Sequence, residues 1–227
     1  MELQVLHEDN HTIVVNKRPG DIVQGDKTGD VPLSEKIKDY LRVKYNKPGN
    51  VFCGVVHRID RPTSGALVFA RTSKALSRLN DQFRGKTTKK IYWAVVEQKP
   101  PQKEGKLVDF LKKNEKQNKS YVVVEGAPGA KRAVLRYVYL GASDKYHLLE
   151  IELETGRHHQ IRCQLANIGC SIKGDVKYGA KRSNKDLSIH LHSRQLAFDH
   201  PTTKERIEVV AKCPDDAVWN FFEKMSM

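Results

Sequence analysis

Short alternating, β-branched segments follow one another along much of this chain with little helix between them, and that order restricts the architecture. "AVLRYVYLG" (133–141) gives way within five residues to "YHLLEIELET" (146–155). Parallel strands need a crossover of a dozen or more residues, so neighbours this close must pair antiparallel. The same pattern opens the chain, where "LQVLHEDNHTIVVNKRPG" reads as two strands around a turn at His7–Asn10 and stops at Pro19-Gly20. "TKKIYWAVVEQ", "IHLHSRQLAFDHP" and "ERIEVVAKC" read as further strands, and "NVFCGVVHRID" and "SGALVFART" as short, mostly apolar ones.

Helical spacing is confined to four places. In "VPLSEKIKDYLRVKYN", Leu33, Ile37, Tyr40 and Leu41 share a face. "TSKALSRLNDQFRGK" carries a stripe of Leu76, Leu79 and Phe83, a cap at Thr72 or Ser73, and Gly85 as its stop. "GRHHQIRCQLANIG" has Ile161, Leu165 and Ile168 at helical spacing and ends at Gly169; "DDAVWNFFEKM" closes the chain as an amphipathic helix. Strands outnumber helices, which predicts an α+β fold around a largely antiparallel sheet rather than a doubly wound parallel one. No composition break marks a boundary, so a single domain over 1–227 is expected. The polar segment 102–130 reads as a hairpin with long exposed loops, and 98–130 as an insertion or flexible loops.

Charge narrows the partners. Forty Lys and Arg oppose 27 Asp and Glu, a formal +13 in 227 residues. That excess favours a polyanion, because cations that neutralise phosphates supply affinity for nucleic acid whatever its sequence. No apolar run approaches the roughly 20 residues a membrane helix needs, and the N-terminal stretch lacks the pattern of a signal peptide. The four cysteines form no CxxC pair and read as reduced thiols. The expected setting is cytoplasmic, with nucleic acid well ahead of anionic lipid.

Two polar clusters interrupt the apolar segments: His57-Arg58-Ile59-Asp60-Arg61-Pro62-Thr63-Ser64-Gly65, and Thr155-Gly156-Arg157-His158-His159-Gln160-Ile161-Arg162. The first sits on a turn between two buried segments, where a sheet protein can mount a reactive group. In the second, helical spacing puts His158, His159 and Arg162 on one face. From spacing alone, Asp60 is slightly better read as an aspartate capping a turn before Arg-Pro, and Arg162 is equally an exposed helix arginine. The nine histidines do not make a metal site: there is no HExxH and no cysteine at finger spacing, so no metal is expected. No GxSxG elbow, Walker loop or dinucleotide fingerprint occurs, which leaves hydrolase and nucleotide-cofactor chemistry unsupported.

"HRIDRPTSGALVFART" resembles the signature of the RluA-type family of RNA pseudouridine synthases. "KKIYWAVVE", "ETGRHHQIRCQLANIGCSIKGDVKYG" and "LHSRQLAFDHPTTKE" resemble three further family motifs, in the family's order, over about residues 8–213. The resemblance implies a pseudouridine synthase fold, with a curved, mostly antiparallel mixed sheet, flanking helices and a central catalytic cleft. It implies that Asp60 is the catalytic aspartate, that Tyr92 lies against the target uracil, and that Arg162 pairs with the aspartate. Arg58 is placed to enter the RNA stack where the uridine leaves it. His158 replaces the family's usual Thr, Cys163-Gln164 its Val-His, and Ile59 its Leu.

Arg58, Arg61, Lys89, Lys90, Arg157 and His159 are the candidate RNA contacts. Lys86, Lys112, Lys113, Lys131, Arg132, Lys181 and Arg182 are further candidates for phosphates. The small N-terminal RNA-binding domain of many members is not seen, so recognition is expected from the catalytic domain and its basic loops. The expected activity is isomerisation of uridines in a stem-loop of rRNA or tRNA, with no cofactor, no obligate protein partner and a monomeric chain. The alternative on the same fold is a catalytically silent RNA-binding or ribosome-assembly protein.

Overall fold

The computed structural model describes residues 3–25 and 29–226. The chain begins with β1 (Val5–Glu8), β2 (Thr12–Lys17), α1 (Leu33–Lys44), β3 (Gly54–Val55), β4 (Ser64–Ala70) and α2 (Ser73–Gly85). It continues with β5 (Lys89–Val96), β6 (Glu104–Asn114), β7 (Lys119–Val123), β8 (Lys131–Ala142), β9 (His147–Leu153) and α3 (Gln160–Asn167). A single 3-10 turn at Val176–Tyr178 precedes β10 (Leu191–Asp199), β11 (Arg206–Val210) and α4 (Ala217–Met225). The elements sort into two compact units, Met1–Lys90 with Ser193–Pro214, and Ile91–His192 with Asp215–Met227. Among the described residues no helix is long and apolar enough to cross a membrane.

In the first unit β2 and β4 pair antiparallel from Thr12↔Ala70 to Lys17↔Gly65. Successive side chains of a strand point to opposite faces, and here both faces are covered. Ile13, Val15, Leu67 and Phe69 pack with Leu33, Ile37 and Leu41 of α1. Val14, Ala66, Val68 and Ala70 pack with Ala75 and Leu79 of α2 and with Leu196 and Phe198 of β10. Burial on both faces explains why these strands read as apolar runs rather than alternating ones. The N-terminus of α2 is capped by Thr72, whose hydroxyl accepts from Ala75 N at 3.1 Å. Gly85 is its last helical residue, and the left-handed residue that ends it is Lys86, at φ 58°.

The second unit holds the order β5-β9-β8-β6-β7, with each neighbouring pair antiparallel. β6 and β7 form a hairpin in register from Phe110↔Val123 to Asn114↔Lys119, and this hairpin occupies most of the polar tract. α3 packs on it through Cys163 against Leu111 and Ala133. One expectation is corrected here. α3 starts only at Gln160, because His159 takes a left-handed backbone (φ 52°) that turns the chain before the first helical residue. His158 and His159 therefore precede the helix and do not share a face with Arg162; their rings stack on each other at 3.8 Å.

Candidate active site

Asp60 lies on the loop between β3 and β4, and the loop is fixed from beneath. Thr63 N donates to Asp60 O at 3.0 Å, closing a tight turn, and Gly20 N donates to Arg61 O at 2.9 Å. The Lys17 side chain, 1% exposed, reaches into the same turn. Its Nζ donates to Arg18 O (2.9 Å), Arg61 O (3.0 Å) and Thr63 O (2.8 Å). Three carbonyls match the three hydrogens of an ammonium, so a buried lysine holds both ends of the Arg61–Thr63 segment that follows Asp60. Burial pushes its pKa down to about 7, and the charges of Asp21 and Asp60 oppose that shift. The sequence gives little warning of this role, since Lys17 ends the "TIVVNK" strand like an ordinary solvent-facing lysine. A lysine at the inward position of a doubly covered strand was the available signal.

The rest of the motif is structural in a readable way. Gly65 has φ 117°, and a Cβ there would sit 2.3 Å from Ser193 O. Only glycine lets β10 pass this close. His57 Nε2 accepts from Val68 N at 3.2 Å, and its ring stacks on Phe83 at 4.5 Å. Burial first, and the Lys90 ammonium second, push the His57 pKa down to about 3. The ring is therefore neutral and acts as a spacer under the loop, not as a proton donor at neutral pH. The Thr63 hydroxyl is buried and has no hydrogen-bond partner among the described residues.

Of the candidate RNA contacts in this unit, Arg58, Arg61 and Lys89 are exposed. Arg61 forms an ion pair with Asp30 at 2.7 Å, and Lys90, half-buried, places its ammonium 5.8 Å from the Phe83 ring centre.

In the second unit Tyr92 is 6% exposed and sits on β5 opposite Ile151. Arg162, one turn into α3, is 5% exposed. Its Nε and one terminal nitrogen donate to the two oxygens of Asp175 at 2.7 and 2.8 Å. This two-point ion pair uses two of five guanidinium N–H groups and fixes the plane of the side chain. The guanidinium also lies 5.1 Å from the Tyr178 ring centre. Asp175 was not singled out from sequence, although it lies in the Gly-Asp pair of the "KGDVKYG" loop.

His159 and the departures beside it, His158, Cys163 and Gln164, have internal hydrogen-bond partners. His159, 8% exposed, contacts the Tyr178 hydroxyl through Nδ1 at 2.9 Å, and that hydroxyl accepts from Ser120 N at 2.8 Å. Burial, with the nearby Arg162 charge, pushes the His159 pKa down to about 2, so this ring faces Tyr178 as a neutral group. His158 bonds Ser120 Oγ and Asn118 through its two ring nitrogens at 2.9 and 3.1 Å. Gln164 bonds Gln160 and Asp109 at 3.0 and 2.7 Å, and the Cys163 thiol donates to Ser120 O. Together these bonds tie the β6–β7 hairpin to the start of α3. Arg157 is exposed, its Nε donating to Arg132 O at 3.0 Å.

Comparison with known proteins bears on this arrangement. Residues 11–167 match the family described as RNA pseudouridylate synthase. An RNA pseudouridine synthase of Bacillus subtilis, YlyB, is 34% identical over 221 residues, which cover 95% of this chain and 71% of that protein. The ribosomal large subunit pseudouridine synthase D of Zymomonas mobilis is 31% identical, with 94% of this chain and 70% of that one covered. In fold, the chain is similar to human RNA pseudouridylate synthase domain containing 4, at TM-score 0.81 and 24% identity over 96% of this chain and 92% of that one. A family match over more than half the chain, and relatives about a third identical along nearly all of it, show that the chain belongs to the RNA pseudouridylate synthase family and is an RNA pseudouridine synthase, an isomerase.

Proposed function

We propose that this protein converts specific uridines of structured ribosomal RNA to pseudouridine, with Asp60 as the catalytic carboxylate. The observation that carries the reading is the clamped turn. A reactive group must be held within a fraction of an ångström to be effective, and the Asp60 turn is closed by its own backbone and tied to a buried lysine.

The reaction breaks the bond from sugar C1′ to uracil N1 and forms one from C1′ to C5. N1 gains a proton, and the hydrogen on C5 leaves to solvent. Electrons balance without a carrier, so the isomerisation needs no redox cofactor. Asp60 acts either as nucleophile on the base or sugar, or as the base that removes a sugar proton. By the family resemblance, Tyr92 is the ring that meets the detached uracil, and Arg162, held in its plane by Asp175, is the guanidinium of the reacting site.

The target base leaves its stack at a cost of about a few kcal/mol, least in loops. Arg58, exposed beside Asp60, fills the gap, and Arg61, Lys89, Lys90 and Arg157 grip flanking phosphates. His159, turned toward Tyr178, serves by holding that ring.

Relatives named as ribosomal large subunit pseudouridine synthases C and D favour rRNA over tRNA as the substrate. RNA carrying tritium at uridine C5 tests this: incubation should release tritium to water from large-subunit rRNA and not from bulk tRNA. Release from tRNA alone would overturn the rRNA assignment.

A further inference from the structure

Beyond Asp175 the chain enters a loop, residues 180–188 of the second unit, that takes no part in the site described. Its outward side chains include Lys181, Arg182, Lys185, Asp186 and Leu187, all exposed. The loop is nonetheless built rather than slack. Asn184 anchors it: Nδ2 donates to Ser188 O at 2.9 Å and lies 3.0 Å from His190 Nδ1, while Oδ1 accepts from Lys173 Nζ at 2.7 Å. Leu187 N donates to Asn184 O at 3.1 Å, closing a turn. The Asp186 carboxylate is bent onto Ser188, accepting from its N and its hydroxyl at 3.1 and 2.7 Å. A Cβ on Gly174 would fall 2.7 Å from Asn184 Nδ2, so the anchor is seated against the residue next to Asp175, the partner of Arg162.

On this frame Leu187 is anomalous. A single exposed leucine is ordinary, but Leu187 is 76% exposed and also holds a left-handed backbone, φ 60°. For any residue with a Cβ that conformation crowds the following carbonyl, and glycine or asparagine fills it more easily. The loop therefore holds an apolar side chain out in water, against both hydration and backbone preference, two residues after Lys185 and on the same loop as Lys181 and Arg182. Exposed left-handed residues occur elsewhere, at Lys86 and Lys204, but at Leu187 the conformation is combined with an exposed apolar side chain, and that combination motivates a ligand.

We propose that the 180–188 loop is a second RNA contact, with Leu187 packed on the face of an unstacked base and Lys181, Arg182 and Lys185 on flanking phosphates. The proposal rests on RNA being the substrate. Apolar side chains wedge against bases whatever their sequence, and the cations match a phosphate chain. Turning Asp186 onto Ser188 keeps the one acid from facing those phosphates directly. Because the loop is already hydrogen-bonded, little ordering cost is added on binding. The chain's +13 charge favours RNA over a protein partner for the same surface.

The test compares wild type, Leu187→Gly and Leu187→Met for affinity to protein-free large-subunit rRNA, tritium release from that RNA, and melting temperature. Leu187→Gly relieves the left-handed strain, so its melting temperature should be unchanged or raised. Its RNA affinity and kcat/KM should nonetheless fall by about tenfold, which corresponds to roughly 1.4 kcal/mol. Leu187→Met should keep most of both. Lys185→Ala should lower the slope of log affinity against log salt by about 1.

Leu187→Gly binding and converting RNA like wild type would overturn the proposal, as would a loss of RNA affinity matched by a fall in melting temperature. If wild type binds rRNA but releases no tritium, the synthase reading fails, and the relative affinities of wild type and Leu187→Gly still decide this loop's role.

Discussion

Lys17 is the residue on which the active loop depends, because three carbonyl oxygens converge on one buried ammonium. Methionine has nearly the same shape and no donors. Lys17→Met should therefore remove three hydrogen bonds, leaving Arg61 O with its bond from Gly20 N, and destabilise the protein by about 3 kcal/mol, read as a lower urea midpoint at constant slope. It should also lower turnover more than that loss of stability explains, because the turn bearing Asp60 loosens. Unchanged stability would show that the three bonds contribute nothing net. Asp60 stood out in the sequence because its neighbours form a polar island between apolar runs, and the family resemblance assigned it a role. Lys17 did not stand out, since its partners are backbone carbonyls brought to it by the fold and not by spacing. The same holds for Arg162: spacing placed it on a helix, but its partner Asp175 lies 13 residues on, in a loop.

At the scale of elements, β4 governs the first unit. It is buried on both faces, and at Gly65, its second residue, β10 passes without room for a side chain. Gly65→Ala puts a methyl into backbone at a φ that alanine rarely adopts, so it should abolish soluble expression or lower the melting temperature by 10 °C or more, an effect of about 3 kcal/mol or greater. A fully stable variant would contradict the close approach.

The contact of β4 with His57 gives a pH dependence. His57 keeps its ordinary pKa in the unfolded chain but is held at about 3 in the fold. Between those values the unfolded state binds more protons, so stability falls as pH drops from about 6.5 toward about 3. His57→Phe should flatten that part of a stability-against-pH curve, and an unchanged slope there would show that His57 is not the group responsible. Most strands and helices were legible, since alternation and caps are local. The start of α3 was not, because the left-handed turn at His159 is held by Tyr178 and by stacking on His158, contacts that helical periodicity does not encode.

For the whole molecule, the α+β class followed from strands too closely spaced for crossovers, and the antiparallel registers agree with that reading. The division into two compact units was not legible, since it falls within β5, within β10 and between Pro214 and Asp215, and not at any change in composition. The central claim is that a family member with a clamped aspartate isomerises uridine in RNA. The most direct measurement sets wild type beside Asp60→Asn, counting tritium released from C5-labelled rRNA and measuring the affinity of each protein for the same RNA. Release by wild type alone is expected, with the affinity of Asp60→Asn within about threefold of wild type, since the change removes one charge and keeps the shape. Tritium release by Asp60→Asn at the wild-type rate would contradict it.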